Sequence, residues 1–171
     1  MELNVHIDEL LDILKREIQS FNTVTELLIL EEKCLLEFDT RSLAENLEHQ
    51  EDVFSSIACL EKSRMNILRK ICVIIHEDPE TISLIRLSSL VGDPSRKRLE
   101  ETGHVLNTIY ENIKQKKIAN SMLIKQGIML VESDIRVIYD AVSMTEHKKQ
   151  GYSSKAELKR PSGGVCIDGR M

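Results

Sequence analysis

Between Ile7 and Phe38 the apolar residues Ile7, Leu11, Leu14, Ile18, Phe21, Leu28 and Leu35 follow a four-three alternation, broken only at Thr25 and Glu32, with no Pro or Gly in the run. That is the pattern of one long helix with a seam. Toward its end, Leu27-Leu28-Ile29-Leu30 and Cys34-Leu35-Leu36 are apolar around more than half the circumference. One partner helix cannot bury so wide a stripe, so a third helix is expected on the far side. Roughly 35 helical residues make a rod about 50 Å long, along which the later elements must return.

Asp39 or Thr40 is placed to cap a second helix, in which Leu43, Leu47, Phe54, Ile57, Leu60, Leu68, Ile71 and Ile75 form the seam. The short connection makes the pair an antiparallel hairpin. Gln50 and Arg64 stand where apolar seam residues would fall, and polar seam positions set register. A turn centred at residue 39 or 40 places Gln50 near Glu32 and Arg64 near Glu17. Asp78-Pro79 is expected to close the helix, because a residue before proline is pushed out of the α region. Residues 80–90 then read as a short helix. Asp93 and Pro94 read as the cap and first position of the last one.

That last helix is predicted over about residues 95–147, with Leu99, Leu106, Ile109, Ile113, Leu123, Ile124, Ile128, Val131, Ile135, Ile138 and Val142 inward. Gly103 and Gly127 each weaken it by about 1 kcal/mol relative to Ala, and a kink or break is expected at either. After Gly151 the periodicity stops, and Pro161-Ser-Gly-Gly marks residues 148–171 as a disordered tail. The fold class is therefore all-α. The expected architecture is an elongated antiparallel bundle on an N-terminal hairpin (1–78), with a short helix and linker (79–94), the long C-terminal helix and the tail.

Composition supports helices over sheets. The chain has three Phe, three Tyr and no Trp, with 30% charged residues, so Leu, Ile and Val carry the core. The first thirty residues interleave apolar side chains with Asp8, Glu9, Asp12 and Lys15 and do not resemble a targeting segment. No run is long enough to span a bilayer. A cytosolic protein is expected, with no membrane insertion. Cys34, Cys59, Cys72 and Cys166 have no metal-ligand spacing and, with three of them inside helical patterns, read as reduced core thiols. Net charge is −5, but residues 1–79 hold 17 Asp and Glu against 8 Lys and Arg, so the C-terminal half is basic. Attraction between the two halves explains this better than a nucleic-acid surface, which would need aromatic interleaving.

Catalytic chemistry finds little support. Glu101-x-x-His104 has the spacing of a di-iron bundle, yet such sites need a second copy and two more inward carboxylates. No phosphate loop or His-Glu-x-x-His arrangement is present. No enzyme, cofactor or metal is expected. What remains is surface: a bundle that cannot cover its own apolar residues offers a groove for an amphipathic helix. Met122, Met129 and Met144 suit such a groove, although core filling is the commoner use of Met. Lys114, Lys116 and Lys117 either rim it or form a solvated face.

The whole arrangement resembles the FlgN-like flagellar export chaperones over about residues 5–155. The shared features are the long first helix, the Asp39-x-x-x-Leu43 turn, a late Arg64 in the second helix, a Pro-interrupted middle and a long last helix. Asn120-Ser-Met-Leu123-Ile124 is similar to that family's Asn-x-x-Leu-Leu motif. Tyr152-Ser-Ser-Lys155 resembles its Tyr-x-x-Lys-Gly tail, with Ala156 in place of Gly. The resemblance implies a cytosolic chaperone of flagellar type III secretion that holds the C-terminal amphipathic helices of hook–filament junction proteins and then meets the export apparatus. It also implies a client face on the last helix, carried over to Asn120, Met122, Leu123, Ile128, Met129, Val131, Ile135 and Ile138. The competing expectation is a structural coiled coil that assembles with itself.

Overall fold

A computed structural model describes the backbone of residues 2–156 and the side chains as far as residue 144. The described residues form four helices: α1 (Glu2–Glu37), α2 (Thr40–Ile75), α3 (Leu84–Leu90) and α4 (Ser95–Ala156). The chain divides into two compact units, residues 1–125 and 126–171. The first holds the hairpin, α3 and the beginning of α4. The all-α class is as the periodicity requires.

Two residues, Phe38 and Asp39, separate α1 from α2. Phe38 takes the left-handed conformation with φ 56°, and the Asp39 amide donates back to the Cys34 carbonyl at 3.0 Å, which closes α1 in the manner usually left to glycine. Asp39 then caps α2 by accepting from the Ser42 amide at 3.0 Å and the Ser42 hydroxyl at 2.7 Å. The hydroxyl and amide of Ser42 hold the Asp39 carboxyl below its ordinary pKa. At its other end α2 stops at Ile75, three residues before the expected Asp78. His76 adopts φ 58°, and the Glu77 amide returns to the Cys72 carbonyl at 3.1 Å. A left-handed residue ends the helix before Pro79 can act.

The core of the first unit joins Ile7, Leu10, Leu11, Leu14 and Phe21 of α1 to Leu68 and Ile71 of α2, Leu87 of α3, Val91, and Leu99 and Leu106 of α4. α1 is thus covered from more than one side. Arg64 of α2 donates to Glu17 at 3.0 Å, and Gln50 donates to Glu31 at 3.0 Å. The hairpin is therefore antiparallel in the expected register, with Glu31 in the place expected for Glu32. α4 runs parallel to α1. Arg98 meets Asp8 at 2.7 Å, Tyr110 packs its ring on Phe21 with centroids 4.8 Å apart, and Lys116 reaches Glu32 at 3.5 Å. Burial raises the pKa of the Tyr110 phenol, and the nearby Glu17 carboxylate adds to the rise.

The α2 seam differs from the expected one along its first half. Asn46 and Gln50 are buried, whereas Leu47 and Phe54 are exposed. Polar residues are tolerated there because each is bonded: Asn46 donates to the Leu27 carbonyl at 3.1 Å, and Gln50 donates to the Asn46 side-chain oxygen at 2.7 Å. Cys34 and Cys72 are buried, but Cys59 is exposed and so is not a core thiol. Burial, with the charges of Asp78 and Glu77, raises the Cys72 pKa. Cys166 lies outside the described residues.

α3 is capped by Ser83, which accepts from the Arg86 amide at 3.1 Å. It is fastened by Arg86 to Glu77 at 2.7 Å. α4 opens at Ser95, one residue after the expected Pro94, and continues without a break through Gly103 and Gly127 and past residue 147 to Ala156. A methyl group at Gly103 would meet Leu84 at an ordinary 3.9 Å, while one at Gly127 would meet open space, so neither glycine is required by a close approach. The remainder of the expected tail, residues 157–171, lies outside the described residues.

Glu17 is a buried acid of the hairpin, only 3% exposed. Desolvation raises its pKa above the ordinary 4.5, against the lowering effect of Arg64. A folded value above the unfolded one means that the native state holds this proton more tightly. Its contribution to stability is therefore full at low pH and is lost as pH rises from 4.5 through the folded value. Glu17→Gln is expected to flatten the pH dependence of urea midpoints in that window. Arg64→Ala, which strands the carboxylate, is expected to cost about 2–3 kcal/mol at neutral pH, on the low side for a buried pair because Arg64 stays partly in water.

Candidate functional site

In the first unit, α4 turns one row of residues inward at intervals of seven. Leu99 and Leu106 are buried, Ile113 is partly buried against the core, and Asn120 is buried. At 3.6 residues per turn a seven-residue interval returns close to the same face. Asn120 ends this row. It is 2% exposed, and its Nδ2 donates to the Leu28 carbonyl at 2.9 Å. Its Oδ1 is buried with no hydrogen-bond partner, a position that an ordered water would satisfy. Asn120 therefore faces α1 and does not belong to an outward client face. A short amide that can reach a backbone carbonyl is a packing residue here. Leu123, one turn on, is half-buried.

The second unit reverses the exposure. Ile128, Val131, Ile135 and Ile138 follow three-four-three spacing, so they share one face of α4, and all four are exposed, Ile128 at 54% and Ile138 at 62%. Tyr139 lies close to the same face and is exposed. A stripe of this length and width is ordinarily buried. Met129 is also exposed, but it sits about 100° around the helix from Ile128, and the exposed Met122 of the first unit has nearly the same helical phase as Met129. The eight expected residues thus separate into three groups. Four form a continuous seam, the two methionines lie toward the opposite side of the helix, and Asn120 and Leu123 turn inward.

Sequence reasoning did not find Asn46, Glu31 and Asn120 as a polar layer around Leu27 and Leu28. The apolar periodicity points to Leu47 and Glu32 in place of Asn46 and Glu31, because polarity argues against burial until the hydrogen-bond partner is known. Glu101 and His104 are both exposed on α4. Among the described residues no group of three or more His, Cys, Asp or Glu side chains could hold a metal ion, and no helix is long and apolar enough to cross a membrane. A cavity of about 400 Å³ in the first unit has Glu17 and Arg64 in its wall, already bonded to each other.

These features define an all-α bundle whose last helix carries an uncovered apolar seam. A family model described as FlgN protein matches residues 1–160, and the chain belongs to that family, the flagellar export chaperones. Comparison with curated proteins and with solved structures found no match.

The division into inward and outward positions has a direct consequence for stability. Asn120→Ala leaves the Leu28 carbonyl without its side-chain donor and is expected to cost about 1–2 kcal/mol in urea unfolding. Met129→Ser, at an exposed position, is expected to change stability by less than about 0.5 kcal/mol.

Proposed function

We propose that this protein is a cytosolic export chaperone of the flagellar type III secretion system. It holds the C-terminal amphipathic helices of hook–filament junction proteins and keeps them from associating before export. The observation that carries this reading is the exposed seam Ile128, Val131, Ile135 and Ile138, which presents the i, i+3, i+7 anchors that a helix-in-groove contact uses. Membership of the FlgN family supports the flagellar setting.

The physics asks for no catalytic step. A client helix buries its own apolar face against the seam, and ordering it costs about 2–5 kcal/mol of the gross interaction energy. That cost keeps the complex releasable while it remains specific. The protein acts as a binding partner and not as an enzyme, and it needs no cofactor. After loading, the complex is passed to components of the export apparatus.

Titration calorimetry with synthetic C-terminal peptides of the junction proteins, and a filament-protein peptide as control, tests the reading. Saturable binding with a negative heat-capacity change is expected for the junction peptides. The double substitution Ile128→Asp and Ile135→Asp is expected to weaken it by about a hundredfold or more while leaving helix content unchanged. Absence of binding by the unaltered protein, together with a stable oligomer in sedimentation, would replace this reading with a coiled coil that assembles with itself through the same seam.

A further inference from the structure

Within the first unit α4 carries a second surface, distinct in chemistry from the seam. Lys114, Lys117, Ser121 and Lys125 are three or four residues apart and form one row, and Ile118 and Met122 form an exposed apolar row beside it. A cleft of about 640 Å³ opens on this face. It spans residues 110–125, about 23 Å of helix, enough for roughly four turns of a partner helix.

Charge decides what fits there. Three ammonium groups line the cleft against one carboxylate, Glu111. Glu111 lies 3.8 Å from Lys114 in an exposed pair within one helix turn, an arrangement of little strength. The Lys117 ammonium lies 5.4 Å from the centre of the Phe54 ring of α2. Neither Lys117 nor Lys125 has a carboxylate partner among the described residues. The concentration stands out in a chain of net charge −5.

We propose that this face docks an amphipathic helix whose apolar stripe meets Ile118 and Met122 and whose flank carries Asp and Glu toward Lys114, Lys117 and Lys125. The inference rests on the reading that the chain holds amphipathic helices, and it adds which helices this second face accepts. A helix with a basic flank places like charges together and is rejected; a neutral flank leaves the lysines in water and gains nothing. The acidic α2 surface of a second copy, with Glu45, Glu48, Glu51 and Asp52 exposed, has the same sign of charge and is separated from a client helix by the test.

Two synthetic amphipathic peptides with one shared apolar face, one flanked by Glu and the other by Lys, are titrated into the full chain in low and in high salt. The Glu-flanked peptide is expected to bind about tenfold more tightly in low salt, the scale of a few rim ion pairs. The preference shrinks as the screening length falls toward about 3 Å near 1 M salt. The triple variant Lys114→Glu, Lys117→Glu and Lys125→Glu, exposed positions whose helix content is checked by circular dichroism, is expected to invert the preference. Equal affinity for both peptides in low salt would overturn the charge selection while leaving the chaperone reading intact. Failure of both peptides, with the junction peptides still binding, would overturn this inference alone; failure of all would remove both. A dimer in sedimentation that the triple variant dissociates, with an unaltered peptide preference, would assign the face to a second copy and overturn the client helix.

Discussion

α1 has to be covered from two directions at once, and the first unit is built around that requirement. Its apolar stripe is too wide for one neighbour, so α2 packs antiparallel to it and α4 parallel to it. Apolar burial supplies the attraction but has no direction of its own, and a Leu-rich seam tolerates a shift of one turn. Direction comes from the carbonyls of Leu27 and Leu28, adjacent in the chain, which accept amide hydrogens from Asn46 of α2 and Asn120 of α4. A side-chain amide that misses its carbonyl in a dry site is costly, so two such bonds at one level of α1 fix both neighbours. Glu31 and Gln50 extend the layer on the α2 side, and Glu32 and Lys116 extend it on the α4 side.

Much of this was legible from residue order alone. The four-three alternation of α1, broken only at Thr25 and Glu32, gave its length to within a turn, and the position of the turn at residue 39 or 40 together with the polar seam positions Gln50 and Arg64 gave the hairpin register, because a misplaced amide or guanidinium must find an acid on the facing helix. The half of α2 nearest the turn was misread. Leu47 and Phe54 look like core residues and Asn46 does not, yet the phase there is set by the bonds of Asn46 and Gln50, which no one-dimensional pattern displays. The end of α2 was misplaced for a similar reason: a proline announces itself, whereas a left-handed His76 does not.

The last helix shows the limit of periodicity most plainly. The same apolar spacing runs from Leu99 to Ile138, and it predicts a buried stripe throughout. In the first unit the stripe is buried or partly buried as far as Asn120; in the second it is exposed. Spacing identifies a face that suits another helix but does not say whether that helix belongs to the same chain. Asn120 illustrates the point at the scale of one side chain. A family-like motif drew attention to it as a binding residue, and its hydrogen bond to Leu28 makes it a fastening of α4 to α1.

The distances along the chain between bonded partners imply an order of assembly. Asn46 meets Leu27 across 19 residues and Arg64 meets Glu17 across 47, whereas Arg98 meets Asp8 across 90 and Asn120 meets Leu28 across 92. The entropy of closing a loop rises with its length, and synthesis delivers the N-terminal partners first. The hairpin can therefore close while α4 is still inside the ribosome, leaving one side of α1 uncovered until Asn120 emerges. For that interval the nascent hairpin is itself a chain with an unprotected apolar stripe, and its own last helix is the segment that covers it.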